Sequence, residues 1–123
     1  MSPLVQAILD ARCGPAEPME EGSFTQAFCF APDFIGFAGH FPNDPLLPAF
    51  VQTRIAQTLI EVALSRTLVL RTVSQAKFRR PIRPGETVTF RIHLPTQALP
   101  PRHARVHVLI DAETAASFRL FAD

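Results

Sequence analysis

Twelve prolines punctuate this chain of 123 residues, yet neither proline nor glycine falls between Ala49 and about Leu68. Within that stretch Phe50, Val51, Ile55, Leu59, Val62, Ala63 and Leu64 recur at helical spacing, which predicts one long helix over 49–68. Arg54, Thr58, Glu61 and Ser65 also fall at three- and four-residue steps, leaving one polar stripe on an otherwise apolar cylinder, as on a helix flank that faces a partner or a tunnel. The rest of the chain must be organised around that cylinder. Residues 69–80, 87–94, 103–110 and 115–120 read as β-strands separated by Pro84-Gly85-Glu86, by residues 95–101 and by Asp111-Ala112-Glu113. Ahead of the helix, residues 4–11 and 23–30 read as two further strands, with the breakers of Cys13-Gly14-Pro15-Ala16-Glu17-Pro18 making a loop between them. The expectation is an α+β fold in which a curved antiparallel sheet wraps one long central helix, all within a single domain over 1–123.

Composition narrows the functional classes. Twelve basic residues against eleven acidic ones give a net charge of +1, which argues against general binding of nucleic acid or an anionic membrane. A hydrophobic fraction of 47% is high for a small monomer and points to a buried subunit interface. Cys13 and Cys29 could form a disulfide but read more naturally as reduced core residues of a cytoplasmic protein. No basic segment followed by an apolar one opens the sequence, and no run approaches the roughly 20 apolar residues of a membrane span. His93, His103 and His107 make no metal-ligand spacing with either cysteine, so no metal is expected.

The segment before the helix, residues 34–48, carries Pro42, Pro45 and Pro48 together with Gly36 and Gly39, so it reads as an ordered loop. His40 sits in it, at the mouth of the helix. A His changes protonation near neutral pH, and a helix amino end offers free N–H groups and partial positive charge to a developing oxyanion. Acyl chemistry suits such a place, although a His among aromatics also serves as a structural hydrogen-bonding residue.

Two segments in order carry a family resemblance. Phe37-Ala38-Gly39-His40-Phe41-Pro42-Asn43-Asp44-Pro45-Leu46-Leu47-Pro48-Ala49-Phe50-Val51-Gln52 resembles the His-Phe-Pro-x-x-Pro-x-x-Pro-Gly loop of the hotdog-fold FabA/FabZ-type β-hydroxyacyl-acyl-carrier-protein dehydratases. Ala76-Lys77-Phe78-Arg79-Arg80-Pro81-Ile82-Arg83-Pro84-Gly85-Glu86 is similar to that family's lysine-phenylalanine strand and proline-glycine turn. The resemblance implies a hotdog domain that pairs with a second copy, placing two sites at the dimer interface. It implies His40 as the base that removes the proton beside a thioester carbonyl, with the Ala49 N–H holding the carbonyl oxygen where the family has Gly, and Phe41 and Arg54 beside the substrate. It also implies that no cofactor is used beyond the phosphopantetheine that carries the substrate, on acyl carrier protein or coenzyme A.

One position departs from the family pattern. Six residues beyond Pro48, where the family's helix carries its acid, this chain has Arg54, and the next helical acid, Glu61, lies about 10 Å further along the axis. Arg54 is either a solvated or Glu61-paired residue or a cation within the site; a guanidinium holds anions but is a poor proton donor. Asp44, the nearer carboxylate, either holds a turn or donates a proton. Lys77, Arg79, Arg80 and Arg83 form a local basic cluster that reads as a contact for a phosphate-bearing pantetheine arm or its carrier protein, or as a charged, solvated edge strand. Three functions follow as expectations: a dehydratase acting on β-hydroxyacyl groups in fatty-acid or polyketide-like biosynthesis; a noncatalytic or partner-dependent hotdog subunit, heterodimeric with an active homologue; and an acyl-thioesterase.

Overall fold

The computed structural model describes residues 2–20, 22–37, 44–94 and 102–123. Helix α1 (Pro3–Asp10) comes first, then strands β1 (Arg12–Pro18) and β2 (Ser23–Cys29), a 3-10 turn (Ile35–Phe37), the long helix α2 (Ala49–Leu64), and strands β3 (Leu70–Phe78), β4 (Thr87–His93), β5 (Arg102–Ile110) and β6 (Glu113–Ala122). The strands form one six-stranded antiparallel sheet in the order β1-β2-β4-β5-β6-β3. This is the expected α+β architecture, a curved sheet with α2 against one face.

Alternation along the strands explains the packing. On β4 Val88, Phe90 and Ile92 are fully buried, while Thr89, Arg91 and His93 point to the other face. Their neighbours Phe28, Val106, Val108, Phe118 and Leu120 join Val51, Ile55, Ala56, Leu59 and Ile60 of α2 in one apolar core. Each such aliphatic or aromatic side chain contributes about 1.5–3 kcal/mol when fully buried, so the helix is held chiefly by this face. Phe28, Phe30, Phe34 and Phe37 pack ring against ring within the core, with centroid separations of 4.6–6.4 Å.

The amino-terminal expectations need two corrections. Residues 4–11 form helix α1, not a strand. Ser2 is its N-cap, its hydroxyl accepting from the Val5 N–H, and Pro3 occupies the first turn; these start signals and the four-residue step from Leu4 to the buried Ile8 outweigh local β propensity. Residues 12–18, expected as a loop, form edge strand β1. Gly14 at φ 74 lies in the register shift between Cys13 and Glu17, and Pro15 and Pro18 are tolerated because an outer strand has no neighbour beyond it. At the other end α2 stops at Leu64, where Ser65 adopts the left-handed conformation.

Candidate functional site

The amino end of α2 is held by its own backbone and by the segment before β4. The Leu47 N–H donates to the Ile82 carbonyl at 2.9 Å, and both side chains are buried. Pro48 is the N-cap residue in extended conformation, and its carbonyl accepts from the Val51 and Gln52 N–H groups. Among the described residues no side chain caps the helix, and no acid lies in its first turn. None of the described side chains therefore compensates the partial positive charge of this terminus. Ala49 is exposed, and none of the hydrogen bonds among the described residues uses its N–H.

Gln52 is a feature that the sequence reading passed over. Its side chain is 4% exposed, its Nε2 donates to the Leu47 carbonyl at 3.2 Å, and its Oε1 is shielded from solvent without a partner. The amide thus ties the loop's last turn to the helix. A polar residue between Val51 and Thr53 in an apolar window was the available signal.

Arg54 is half-buried one turn inside the helix, and no acid among the described residues pairs with it. Glu61 is committed elsewhere: its Oε2 accepts the Leu68 N–H at 2.9 Å. Thr58 is buried, with its hydroxyl donating to the Arg54 carbonyl, and the Gln57 amide donates to the Leu68 carbonyl. The expected polar stripe is thus largely spent on internal hydrogen bonds below Arg54. His40 and Phe41 lie outside the described residues.

The basic cluster divides into separate environments. Arg80 pairs with Glu86 at 2.8 Å and more loosely with Glu113, while Arg83 pairs with Asp44 at 3.1 Å, joining the loop to the turn before β4. Asp44 is thereby placed as a turn anchor. Burial pushes the Glu86 carboxyl up, but the Arg83 N–H and the Arg80 guanidinium outweigh it and leave the group below its ordinary range. Lys77 and Arg79 are exposed, the Arg79 N–H donating to the Ala115 carbonyl. A small apolar cavity of about 20 Å³ lies at the opposite end of α2, among Ile60, Leu64, Leu68, Leu70 and Leu120. Cys13 and Cys29 are free thiols but not the core residues expected: Cys13 is half-buried on edge strand β1 and Cys29 is exposed at the end of β2. No described helix is long and apolar enough to cross a membrane.

Comparison with known proteins places this geometry. The family model described as "ApeI-like: ApeI dehydratase" matches residues 16–119. Over 65 residues the chain is 40% identical to the 3-hydroxyacyl-[acyl-carrier-protein] dehydratase FabZ of Latilactobacillus sakei, a match covering 47% of this chain and 46% of that protein. The FabZ of a Wolbachia species is 27% identical over 93 residues, covering 70% of this chain and 65% of the relative. The chain thus spans about half to two thirds of the length of these relatives. Among solved structures, a chain of the dehydratase heterocomplex ApeI:P from Xenorhabdus doucetiae superposes with a TM-score of 0.76 at 21% identity, covering 88% of this chain and 93% of that one. The E. coli PaaI protein superposes with a TM-score of 0.69 at 17% identity, covering 96% and 88%. Both share the hotdog fold.

Proposed function

The chain belongs to the ApeI-like dehydratase family, and from that premise we propose that it acts on β-hydroxyacyl thioesters presented by an acyl carrier protein, with His40 as the base. The observation that carries this reading is the uncapped amino end of α2, reached directly from the His40 loop. His40 takes a proton from the carbon beside the thioester carbonyl, and the electron pair moves onto the carbonyl oxygen. The Ala49 N–H and the helix terminus stabilise that oxyanion. Collapse of the enolate forms the double bond and expels the β-hydroxyl, which takes up the proton that His40 removed and leaves as water. Arg54 favours the developing negative charge but is a poor source of a proton, since a guanidinium holds its protons tightly.

Arg54 favours a second reading, in which the acid comes from a different hotdog subunit. The family's sites lie between chains, and the structural neighbour from Xenorhabdus is itself part of a dehydratase heterocomplex. Strand β3 supports pairing with another chain: it ends the sheet, leaving one backbone edge open, and exposes Val73 and Phe78.

The purified protein is incubated alone with β-hydroxyacyl and enoyl thioesters, assayed in both directions, alongside His40→Ala and Arg54→Glu. Wild-type turnover that falls about 100-fold or more in His40→Ala, the lower range for loss of a general base, supports the first reading. Turnover seen in Arg54→Glu alone supports the second. Wild-type turnover untouched by His40→Ala refutes the assignment of His40.

A further inference from the structure

On the face of the sheet turned away from α2, the strand registers align two rows of side chains. One row runs Lys77, Ser117, His107, Arg91 and the other Ser74, Arg119, Arg105, His93, across β3, β6, β5 and β4. Arg105 stands directly opposite Arg119 and next to His93, while Arg91 stands opposite His107. Like charges directly opposed across strands destabilise a sheet. Two acids lie beside the rows: Glu20, 3.9 Å from His93 and largely exposed, and Glu17 on β1, which continues the Arg91 row beyond Thr25 of β2. Among the described residues Arg91, Arg105 and Arg119 form no ion pair, although the whole chain carries a net charge of just +1. Several of the other acids are engaged elsewhere, in pairs such as Arg71–Asp123, Arg80–Glu86 and Arg83–Asp44.

Two further observations point to a missing anion. The Arg91 Nε and His107 Nδ1 atoms are shielded from solvent without a hydrogen-bond partner, an arrangement that folded proteins rarely leave uncompensated. Between the rows lies an open groove of about 200 Å³ lined by Gln75, Arg105, His107, Ser117 and Arg119, with Val106 and Phe118 also contributing. Gln75 sits at φ 50 in the register shift of β3 between Ser74 and Lys77, a conformation that non-glycine residues seldom adopt.

We propose that this groove binds a small, multiply charged phosphate anion, held between the guanidinium groups of Arg105 and Arg119, with His107, Ser117 and Gln75 as additional donors. Two forked guanidiniums suit the several oxygens of a phosphate, and the bounded groove suits a small ion. The site lies on the opposite face of the sheet from α2 and is independent of the reading given to His40.

The anion also acts on His107. Burial, followed by the charges of Arg91, Arg105 and His93, holds its imidazole below the ordinary value of 6.5. Charged groups on its face are Arg91 and His93 on β4, Arg105 on its own strand, Arg119 on β6 and Lys77 on β3, with Glu20 beyond His93 and Glu17 of β1 beyond Arg91. A bound anion opposes those positive charges, so binding takes up a proton and strengthens as the pH falls.

The test titrates the full chain with inorganic pyrophosphate at pH 6 and pH 8, followed by calorimetry and by the His107 ring resonances. The expected result is saturable one-to-one binding, tighter at pH 6, weakened tenfold or more in Arg105→Ser and Arg119→Ser and unchanged in Arg71→Gln, which removes equal charge elsewhere. Ser117→Asp, which puts a carboxylate into the groove, is expected to abolish binding, raise the His107 pKa and leave the fold intact. Non-saturable binding, equal weakening by Arg71→Gln, or citrate binding as tightly as pyrophosphate would overturn the proposal. So would an acidic protein that binds this face while pyrophosphate does not.

Discussion

The two ends of α2 use their polar groups in opposite ways. At the carboxyl end Gln57 and Glu61 both reach the backbone of Leu68, and Ser65 turns the chain in the left-handed conformation. Those side chains are committed to closing the turn into β3. At the amino end the helix has no side-chain cap, Arg54 has no acid partner among the described residues, and Gln52 keeps one buried oxygen unpaired. One end spends its hydrogen-bonding capacity on the fold, and the other leaves part of it unspent, which is where the proposed function places the thioester. Substitutions at the carboxyl end should therefore cost stability, and those at the amino end activity.

The largest separation is expected from His40→Ala, which lowers dehydratase turnover about 100-fold or more while moving the melting temperature little, as read by parallel assay and thermal unfolding. Ile55→Ala breaks the symmetry from the middle of the helix. Its side chain is fully buried between the two ends, so the variant should lose about 2–5 kcal/mol of unfolding free energy in a urea titration. Glu61→Ala leaves the Leu68 N–H without its acceptor and should cost about 1–3 kcal/mol in the same titration, with turnover per folded molecule unchanged. A comparable loss of turnover would mean that the two ends are not functionally distinct.

The smallest effect comes from the Arg80–Glu86 ion pair, which braces the segment before β4 that holds the amino end of α2. The Glu86 carboxyl is held below its ordinary value of 4.5 despite burial, by the Arg83 N–H and Arg80. A depressed carboxyl pKa means that the unfolded chain binds the proton more readily. Its stabilisation is full above the unfolded value and is lost as the pH falls through the folded one. Arg80→Gln should flatten this acid-side decline in a series of melts between pH 3 and pH 6, and an unchanged slope would remove Arg80 from the account.

The long helix and strand β4 were legible because their periodicity is unbroken, as in Val88, Phe90 and Ile92 alternating with Thr89 and Arg91, while β3, β5 and β6 were legible from their β-forming residues between breakers although register shifts interrupt the β3–β6 and β5–β6 pairings. The first helix was misread because it is short and rich in β-branched and aliphatic residues, so its identity rests on the Ser2 cap and Pro3 rather than on its apolar content. Strand β1 was hidden by Gly14, Pro15 and Pro18, which disfavour strands except at an edge and around a bulge. At the site, Arg54 stood out in the sequence because it occupies a place where an acid was expected. Gln52 did not, since its importance comes from burial and from the Leu47 carbonyl, both products of tertiary packing. The basic face of the sheet was equally hidden, because Arg91, Arg105 and Arg119 are far apart in sequence and meet through strand register.

The central claim is that His40, delivered to the amino end of α2, abstracts the proton beside a thioester carbonyl. That step requires no acid and is separable from loss of water. The most direct measurement is hydrogen–deuterium exchange at the α-carbon of a saturated acyl thioester lacking the β-hydroxyl, followed by mass spectrometry in deuterated buffer. The account predicts exchange catalysed by the wild-type chain and by Arg54→Gln and lost in His40→Ala; absence of exchange, or exchange that survives His40→Ala, would contradict it.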